Sequence, residues 1–88
     1  EVETRNLDEV KEALNTGAVD RIMLDNFTPA ACKEAVDFIA ERCETEASGG
    51  IHAGNLRDYA ATGVDYISLG ALTQSVKSLD ISMKTHSI

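Results

Sequence analysis

Short apolar runs alternate with amphipathic segments along the 88 residues of the chain. Runs rich in β-branched and large apolar residues predict strands buried on both faces, as in parallel sheets. Segments with apolar residues at spacings of three and four predict helices that cover such a sheet. The predicted strands are residues 1–4, 21–25, 45–48 and 64–70. The pattern therefore predicts a repeated strand–helix unit.

Polar residues mark the starts of the predicted helices. Asn6 followed by Glu9 has the spacing of a capping box. Thr28 followed by Pro29 is an N-cap with proline at the first helical position. The predicted helices are residues 7–14, 29–42 and 53–63, and the tail is expected to form a short helix and then a fifth strand or an extended arm.

Four unusual residues recur where the predicted strands end. They are Glu3, Asp25, Ser48 and Gly70, separated by 22, 23 and 22 residues. A strand–helix repeat of fixed period indicates right-handed βαβ units and a parallel sheet. Ligands of such sheets bind at the carboxyl edge. Because a complete eight-stranded α/β barrel needs about 250 residues, the sequence predicts half of a barrel or a small open sheet. Its start within a strand favours the half-barrel.

The segment Ser48-Gly49-Gly50 follows a predicted strand and precedes a predicted helix. Backbone N–H groups at a helix N-terminus attract anions, and residues without side chains let phosphate oxygens reach them. With Gly70 and Ala71 one repeat later, the two loops predict one phosphate site. We expect a larger side chain at Gly49 to block the phosphate and leave the fold mostly intact. The alternative is that the glycine pair forms only a tight turn.

Two carboxylates accompany these loops. Glu3 and Asp25 end adjacent strands if the first two strands pair in order, and parallel strands lie about 4.8 Å apart. Paired carboxylates beside a phosphate can hold magnesium partly through water, stabilise a cationic sugar carbon or bind ribose hydroxyls. The alternative for Asp25 is a cap of the following turn. Asn26 is expected to support this loop, and Arg21 to lie near a helix end or on a solvated face.

Composition and charge narrow the possible functions. The chain is 43% apolar and 26% charged, which is typical of a globular domain. A net charge of −7 argues against a broad nucleic-acid interface and against docking on anionic membranes. No apolar run reaches the roughly 18 residues of a membrane span. Cys32 and Cys43 are predicted to be buried thiols in a reducing cytosol.

Five segments of the chain, in this order, resemble the C-terminal part of the quinolinate phosphoribosyltransferases. They are "EVET", "IMLDNF", "EASGGI", "YAATGVDYISLGAL" and "SVKSLDISMK". The resemblance runs from Glu1 to about Lys84. It implies the C-terminal half, residues 1–88, of an open, TIM-like α/β barrel of a type II phosphoribosyltransferase. It also implies a cytoplasmic homodimer or larger homo-oligomer that converts quinolinate and phosphoribosyl pyrophosphate, with magnesium, to nicotinate mononucleotide, pyrophosphate and carbon dioxide in NAD biosynthesis.

The resemblance assigns a role to each candidate residue. It implies that Glu3 and Asp25 face the ribose and the magnesium-bound pyrophosphate, and that backbone N–H groups bind the 5-phosphate. The implied phosphate-binding residues are Ser48, Gly49, Gly50, Leu69, Gly70 and Ala71.

Two departures from the family pattern limit this assignment. The family's quinolinate-binding Arg, Lys and His residues belong to segments absent here, so the chain alone is expected to be inactive. Gln74 stands where many members have His. The alternatives are another phosphate-binding barrel enzyme, such as a relative of indole-glycerol-phosphate synthase, and a non-catalytic α/β interaction domain.

Overall fold

The computed structural model describes residues 1–69 and 75–81. These residues form one sheet of order β1-β2-β3-β4-β5, with helices after the first three strands. The strands are β1 (Val2–Thr4), β2 (Arg21–Asp25), β3 (Glu44–Ser48), β4 (Tyr66–Ser68) and β5 (Ser75–Lys77), and the helices are α1 (Leu7–Asn15), α2 (Pro29–Ile39) and α3 (Leu56–Ala60). Strands β1 to β4 pair in parallel. The predicted parallel sheet of βα repeats is therefore confirmed.

The tail differs from its predicted order. Strand β5 comes first and pairs antiparallel with β4, and a single helical turn over residues 78–81 follows it. Ser78 fixes this reversal because its hydroxyl donates to the carbonyl of Val64 at 2.5 Å. Its backbone N–H also donates to the carbonyl of Asp65 at 3.0 Å. The prediction of a helix before a fifth strand was wrong.

Both predicted helix starts are confirmed. The Asn6 side chain accepts from the N–H of Glu9 at 2.9 Å, and the Glu9 carboxylate accepts from the N–H of Arg5 at 2.7 Å. The Thr28 hydroxyl accepts from the N–H of Ala31 at 3.1 Å, with proline at the first helical position. Each side chain thus satisfies a backbone donor that the helix itself leaves unpaired.

Helix α2 ends three residues earlier than predicted. Ala40 and Glu41 have φ values of 51° and 65°, which turn the chain out of the helix. The Arg42 side chain then donates to the carbonyl of Ile39 at 2.9 Å and to that of Phe38 at 2.6 Å. Cys43 consequently lies in the connection to β3 and is only half-buried.

The two cysteines therefore differ in their surroundings. Cys32 is buried as predicted, and its sulfur lies 3.4 Å from the hydroxyl oxygen of Thr62. Cys43 is half-buried, so the prediction of two buried thiols holds only for Cys32. Burial raises the pKa of both thiols, and neither forms a disulfide.

The helices cover one face of the sheet. Strand residues on that face are buried in a single core with helix residues such as Val10, Cys32 and Ile39. The buried strand positions on this face are Thr4, Ile22, Leu24, Thr45, Ala47 and Ile67. Helices on one face and strands in sequential order are the arrangement of an α/β barrel, whereas a doubly wound sheet has helices on both faces. Within the described ranges no helix is long and apolar enough to cross a membrane.

The opposite face of the sheet is polar. Residues two apart in a strand share a face, and so do residues paired in register. We use the name polar face for Glu3, Arg21, Met23, Asp25, Glu44, Glu46, Ser48, Tyr66, Ser68, Ser75 and Lys77. In a barrel this face turns toward the interior.

Candidate functional site

Asp25 and Ser48 meet at the carboxyl edge of the sheet. They are paired in register as the last residues of β2 and β3. The Ser48 hydroxyl donates to Asp25 Oδ1 at 3.3 Å, and both side chains are partly buried. The structure therefore places these two predicted site residues together on the polar face.

Glu3 shares the polar face with Asp25 but lies at a different level. Its register partner is Met23, two residues before Asp25. Two residues of rise and one strand spacing put the Cα atoms of Glu3 and Asp25 about 8 Å apart. The constant period had predicted equivalent positions, and the strand register corrects this. Glu3 is exposed, so its carboxylate is accessible from solvent.

Gly49 and Gly50 follow Ser48 with φ values of 88° and 69°, but they lack side chains for different reasons. A Cβ on Gly49 would lie 2.5 Å from Asn26 Oδ1 and 2.9 Å from the Asn26 backbone nitrogen. A Cβ on Gly50 would meet nothing within 4 Å. The group that approaches Gly49 is therefore Asn26, and the expectation that a larger side chain at Gly49 leaves the fold mostly intact was wrong.

Asn26 joins the loop after β2 to the loop after β3. Its φ is 61°, a left-handed conformation that asparagine tolerates better than most residues. Its backbone N–H donates to the carbonyl of Ser48 at 2.9 Å, which extends the pairing of the two strands beyond Asp25. The predicted supporting role of Asn26 is confirmed.

The glycines do not stand directly at a helix N-terminus. Residues 51–55 separate Gly50 from α3, and α3 has only five residues. Asn55 shapes this turn by donating from its amide to the carbonyl of Gly50 at 3.0 Å and accepting from the N–H of His52 at 2.8 Å. The expected contribution of a helix dipole is therefore absent from this loop.

The loop nevertheless presents backbone donors. Within the described part of the chain, the N–H groups of Gly49 and Gly50 donate to no other residue. They follow Ser48 directly, and Gly50 borders open space. Successive N–H groups of residues in left-handed conformation form a concave donor site suited to anions.

The second predicted phosphate loop is only partly described. Leu69 follows β4, is partly buried and packs against the core. Ser68 ends β4 on the polar face. Gly70, Ala71 and Gln74 lie outside the described residues.

Sequence reasoning missed the role of Arg21. This residue begins β2 on the polar face and contacts Glu44 and Glu46, and its guanidinium lies 4.0 Å from the centroid of the Tyr66 ring. Hydrogen bonds from Glu44 and then Glu46 raise its pKa. The signal was available, since Arg21 and Asp25 share a face by the period of two.

Ligands for a metal ion are limited to carboxylates of the polar face. The structure, as far as it is described, contains no group of three or more His, Cys, Asp or Glu side chains that could hold a metal ion. His52 Nδ1 accepts instead from the N–H of Gly54 at 3.0 Å.

Comparison with known proteins follows from this geometry. The model of the family described as quinolinate phosphoribosyl transferase, C-terminal domain, matches residues 1–84. A chloroplastic nicotinate-nucleotide pyrophosphorylase (carboxylating) of Oryza sativa subsp. japonica is 47% identical over 98 residues, covering 96% of this chain and 26% of that protein. A probable nicotinate-nucleotide pyrophosphorylase (carboxylating) of Methanocaldococcus jannaschii is 49% identical over 90 residues, covering 94% of this chain and 31% of that protein.

Solved structures with the same name share the fold. The nicotinate-nucleotide pyrophosphorylase of Ehrlichia chaffeensis superposes with a TM-score of 0.74 at 42% identity, over 82% of this chain and 26% of that one. The enzyme of Francisella tularensis gives a TM-score of 0.74 at 39% identity, over 86% and 27%. The chain spans less than a third of the length of these relatives. The family model and these identities together show that the chain belongs to the quinolinate phosphoribosyl transferase family, as part of its C-terminal domain.

Proposed function

We propose that the protein carrying this chain transfers the phosphoribosyl group of phosphoribosyl pyrophosphate to quinolinate, with decarboxylation. The products are nicotinate mononucleotide, pyrophosphate and carbon dioxide, a step of NAD biosynthesis. Residues 1–88 supply the C-terminal half of the barrel and its phosphoribosyl-binding edge. The observation that carries this proposal is the contact of Asp25 with Ser48 beside a loop with unpaired backbone N–H groups.

The Ser48-Gly49-Gly50 loop binds the 5-phosphate of the ribose. Its donors are uncharged N–H groups, which hold a phosphate without requiring an arginine in an acidic chain. The Ser48 hydroxyl has one proton, which it donates to Asp25 at 3.3 Å in the absence of ligand. Donation to the phosphate instead leaves the Asp25 carboxylate free for the sugar. Leu69, Gly70 and Ala71 supply the second loop of this phosphate site.

Asp25 and Glu3 act on the charge that develops in the reaction. Loss of pyrophosphate leaves positive charge on the anomeric carbon, and carboxylates beside it stabilise the transition state more than the ground state. Magnesium would neutralise the leaving pyrophosphate, and Glu3 and Asp25 would hold it through water. Two carboxylates fit this cation because it is usually bound by one or two carboxylates together with substrate phosphates. The fixed phosphate aligns the ribose with the attacking nitrogen.

Quinolinate binding requires cations from outside this chain. The described polar face carries Arg21 and Lys77, and Arg21 is already engaged by Glu44 and Glu46. A dicarboxylate therefore needs further Arg, Lys or His residues from the rest of the protein and from a partner subunit. We propose a cytoplasmic homodimer or larger homo-oligomer, in which the chain alone is inactive.

The test uses the complete protein, with nicotinate mononucleotide formation and calorimetric binding of phosphoribosyl pyrophosphate as readouts. Glu3→Gln and Asp25→Asn together remove both charges at nearly constant shape. We expect kcat/KM to fall by about 100-fold or more, the scale on which electrostatic groups contribute to transition states. Glu34→Gln, on the exposed side of α2, is the matched control and should leave kcat/KM unchanged.

Two outcomes would contradict the proposal. One is the absence of phosphoribosyl pyrophosphate binding by the unaltered protein. The other is full activity of the double variant. Phosphate binding that survives the double substitution and needs no magnesium would instead favour another phosphate-binding barrel enzyme.

A further inference from the structure

We propose that Arg21 is a positioning residue that acts through Glu46. It cancels the charge of this carboxylate and thereby keeps the polar face at a net charge that a phosphate-bearing ligand tolerates. The inference rests on the proposed function, since it concerns the same phosphoribosyl-binding edge. It adds a residue that contacts neither the ligand nor the reacting atoms.

The contacts of Arg21 fix its guanidinium group. Nη1 lies 3.0 Å from Glu46 Oε1, and Nη2 lies 3.1 Å from Glu44 Oε1. The guanidinium carbon is 4.0 Å from the centroid of the Tyr66 ring, and the Tyr66 hydroxyl donates to Glu44 Oε2 at 3.3 Å. A planar guanidinium can pair with two carboxylates and stack on a ring at once, which an ammonium group cannot do.

The two carboxylates depend on Arg21 to different extents. The Glu44 side chain is 51% exposed, whereas that of Glu46 is 5% exposed. Water stabilises the charge of Glu44. The buried charge of Glu46 depends on its ion pair, because a buried carboxylate without a partner is strongly disfavoured. Glu46 is therefore the carboxylate whose charge Arg21 controls.

Glu46 lies beside both catalytic candidates. It is paired in register with Met23, and so is Glu3 on the other side. Asp25 is two residues further along β2, so the Cα atoms of Glu46 and Asp25 are about 8 Å apart. The charged or titratable groups of the polar face around Glu46 are Glu3, Arg21, Asp25, Glu44, Tyr66 and Lys77. Without Arg21, three carboxylates would surround Met23.

The expected size of the effect follows from this spacing. A charge on Glu46 lies about 9 Å from an anionic group bound beside Asp25. At that distance one uncompensated charge changes affinity about 2- to 20-fold for effective dielectric constants of about 80 to 20. The change should shrink at high ionic strength, because 9 Å is close to the Debye length at physiological salt.

The experiment measures the affinity of the complete protein for phosphoribosyl pyrophosphate with magnesium, and for inorganic pyrophosphate. Calorimetry is performed at pH 8.5, in low and in high salt, on Arg21→Met, Glu46→Gln and the double variant. We expect Arg21→Met to weaken binding about 2- to 20-fold and Glu46→Gln to strengthen it. The double variant should return to within about 2-fold of the unaltered protein.

The matched control removes a comparable ion pair elsewhere. Lys33→Met unpairs Asp37 on the exposed side of α2, where the two side chains are 2.8 Å apart. This variant should not change affinity. If Arg21→Met fails to fold, Glu46→Gln alone decides, because Arg21 then keeps Glu44 and the Tyr66 ring.

Failure of this inference is distinguishable from failure of the proposed function. If the unaltered protein does not bind phosphoribosyl pyrophosphate, the proposed function fails. If it binds and the double variant is as weak as Arg21→Met, Arg21 has only a structural role and the inference is overturned. Unchanged or weaker binding by Glu46→Gln overturns it as well.

Discussion

Alanine at Gly49 and at Gly50 should have different effects, although the two glycines are adjacent. Both have positive φ, at 88° and 69°, so alanine is strained at either position. The added methyl of Gly49→Ala would also lie 2.5 Å from Asn26 Oδ1, whereas that of Gly50→Ala points into open space. The pair of variants therefore separates backbone strain from the steric contact with Asn26.

The magnitudes follow from these two terms. A left-handed conformation costs a residue with a Cβ about 1–2 kcal/mol. Overpacking against a fixed neighbour adds about 1–3 kcal/mol. We therefore expect Gly50→Ala to lower the free energy of unfolding by about 1–2 kcal/mol and Gly49→Ala by about 2–5 kcal/mol.

The assay is urea denaturation of the complete protein, combined with calorimetric titration of phosphoribosyl pyrophosphate. Asn26→Gly in the background of Gly49→Ala removes the side-chain contact and suits the φ of 61° at this position. It should recover part of the lost stability. Recovery is incomplete because the Asn26 backbone nitrogen remains 2.9 Å from the new methyl group. Gly50→Ala should weaken phosphate binding more than its small loss of stability explains.

Equal destabilisation by the two alanines would refute the steric argument. A lack of coupling between Asn26→Gly and Gly49→Ala would refute it too. Unchanged affinity in Gly50→Ala would show that no ligand group approaches this open side of the loop.

Three further changes test the supports of this edge by urea denaturation. Thr28→Ala removes the N-cap of α2 and should cost about 1 kcal/mol, whereas Thr28→Ser should retain most of the stability. Tyr59→Phe leaves the buried carbonyl of Phe27 without its 2.6 Å hydrogen bond and should cost about 1–3 kcal/mol. Burial raises the pKa of Tyr59, so its contribution is complete below the unfolded pKa near 10 and is lost as pH rises through the folded value; the unaltered protein should lose stability faster than Tyr59→Phe in that range. Glu41→Gly relieves a φ of 65° and should raise stability by up to about 1 kcal/mol, and a loss instead would contradict this reading.

Elements with local signals were predicted well from the sequence. The bounds of β2 agree with the structure, and both N-caps bind the donors that their spacing indicates. The end of α2 was not predictable in the same way. Its apolar pattern continues past Ile39, while the termination depends on the left-handed Ala40 and Glu41 and on a side chain that returns to cap the carbonyls. Periodicity reports which face is buried, but not where the backbone leaves the helix.

The candidate site was predicted as a set of residues, but not as a geometry. A period of about 22 residues brings Asp25 level with Ser48 because β2 and β3 have equal lengths and pair over five residues. The same period places Glu3 two residues too high, since β1 is shorter and pairs with β2 only up to Leu24. Counting residues between strand ends is therefore reliable only where neighbouring repeats have the same strand length.

The conformation of Gly49 shows why a glycine near a ligand edge is not by itself evidence of a ligand. Two causes remove its side chain, and the sequence cannot distinguish them. Asn26 already excludes a Cβ at Gly49, so a phosphate is not needed to explain that residue. Gly50 has no protein neighbour within 4 Å, and its N–H donates to no described residue, so protein packing does not explain its lack of a side chain. The argument for phosphate binding therefore depends on Gly50 and on the unpaired donors, whereas Gly49 reports the contact between the two loops that holds Asp25 beside Ser48.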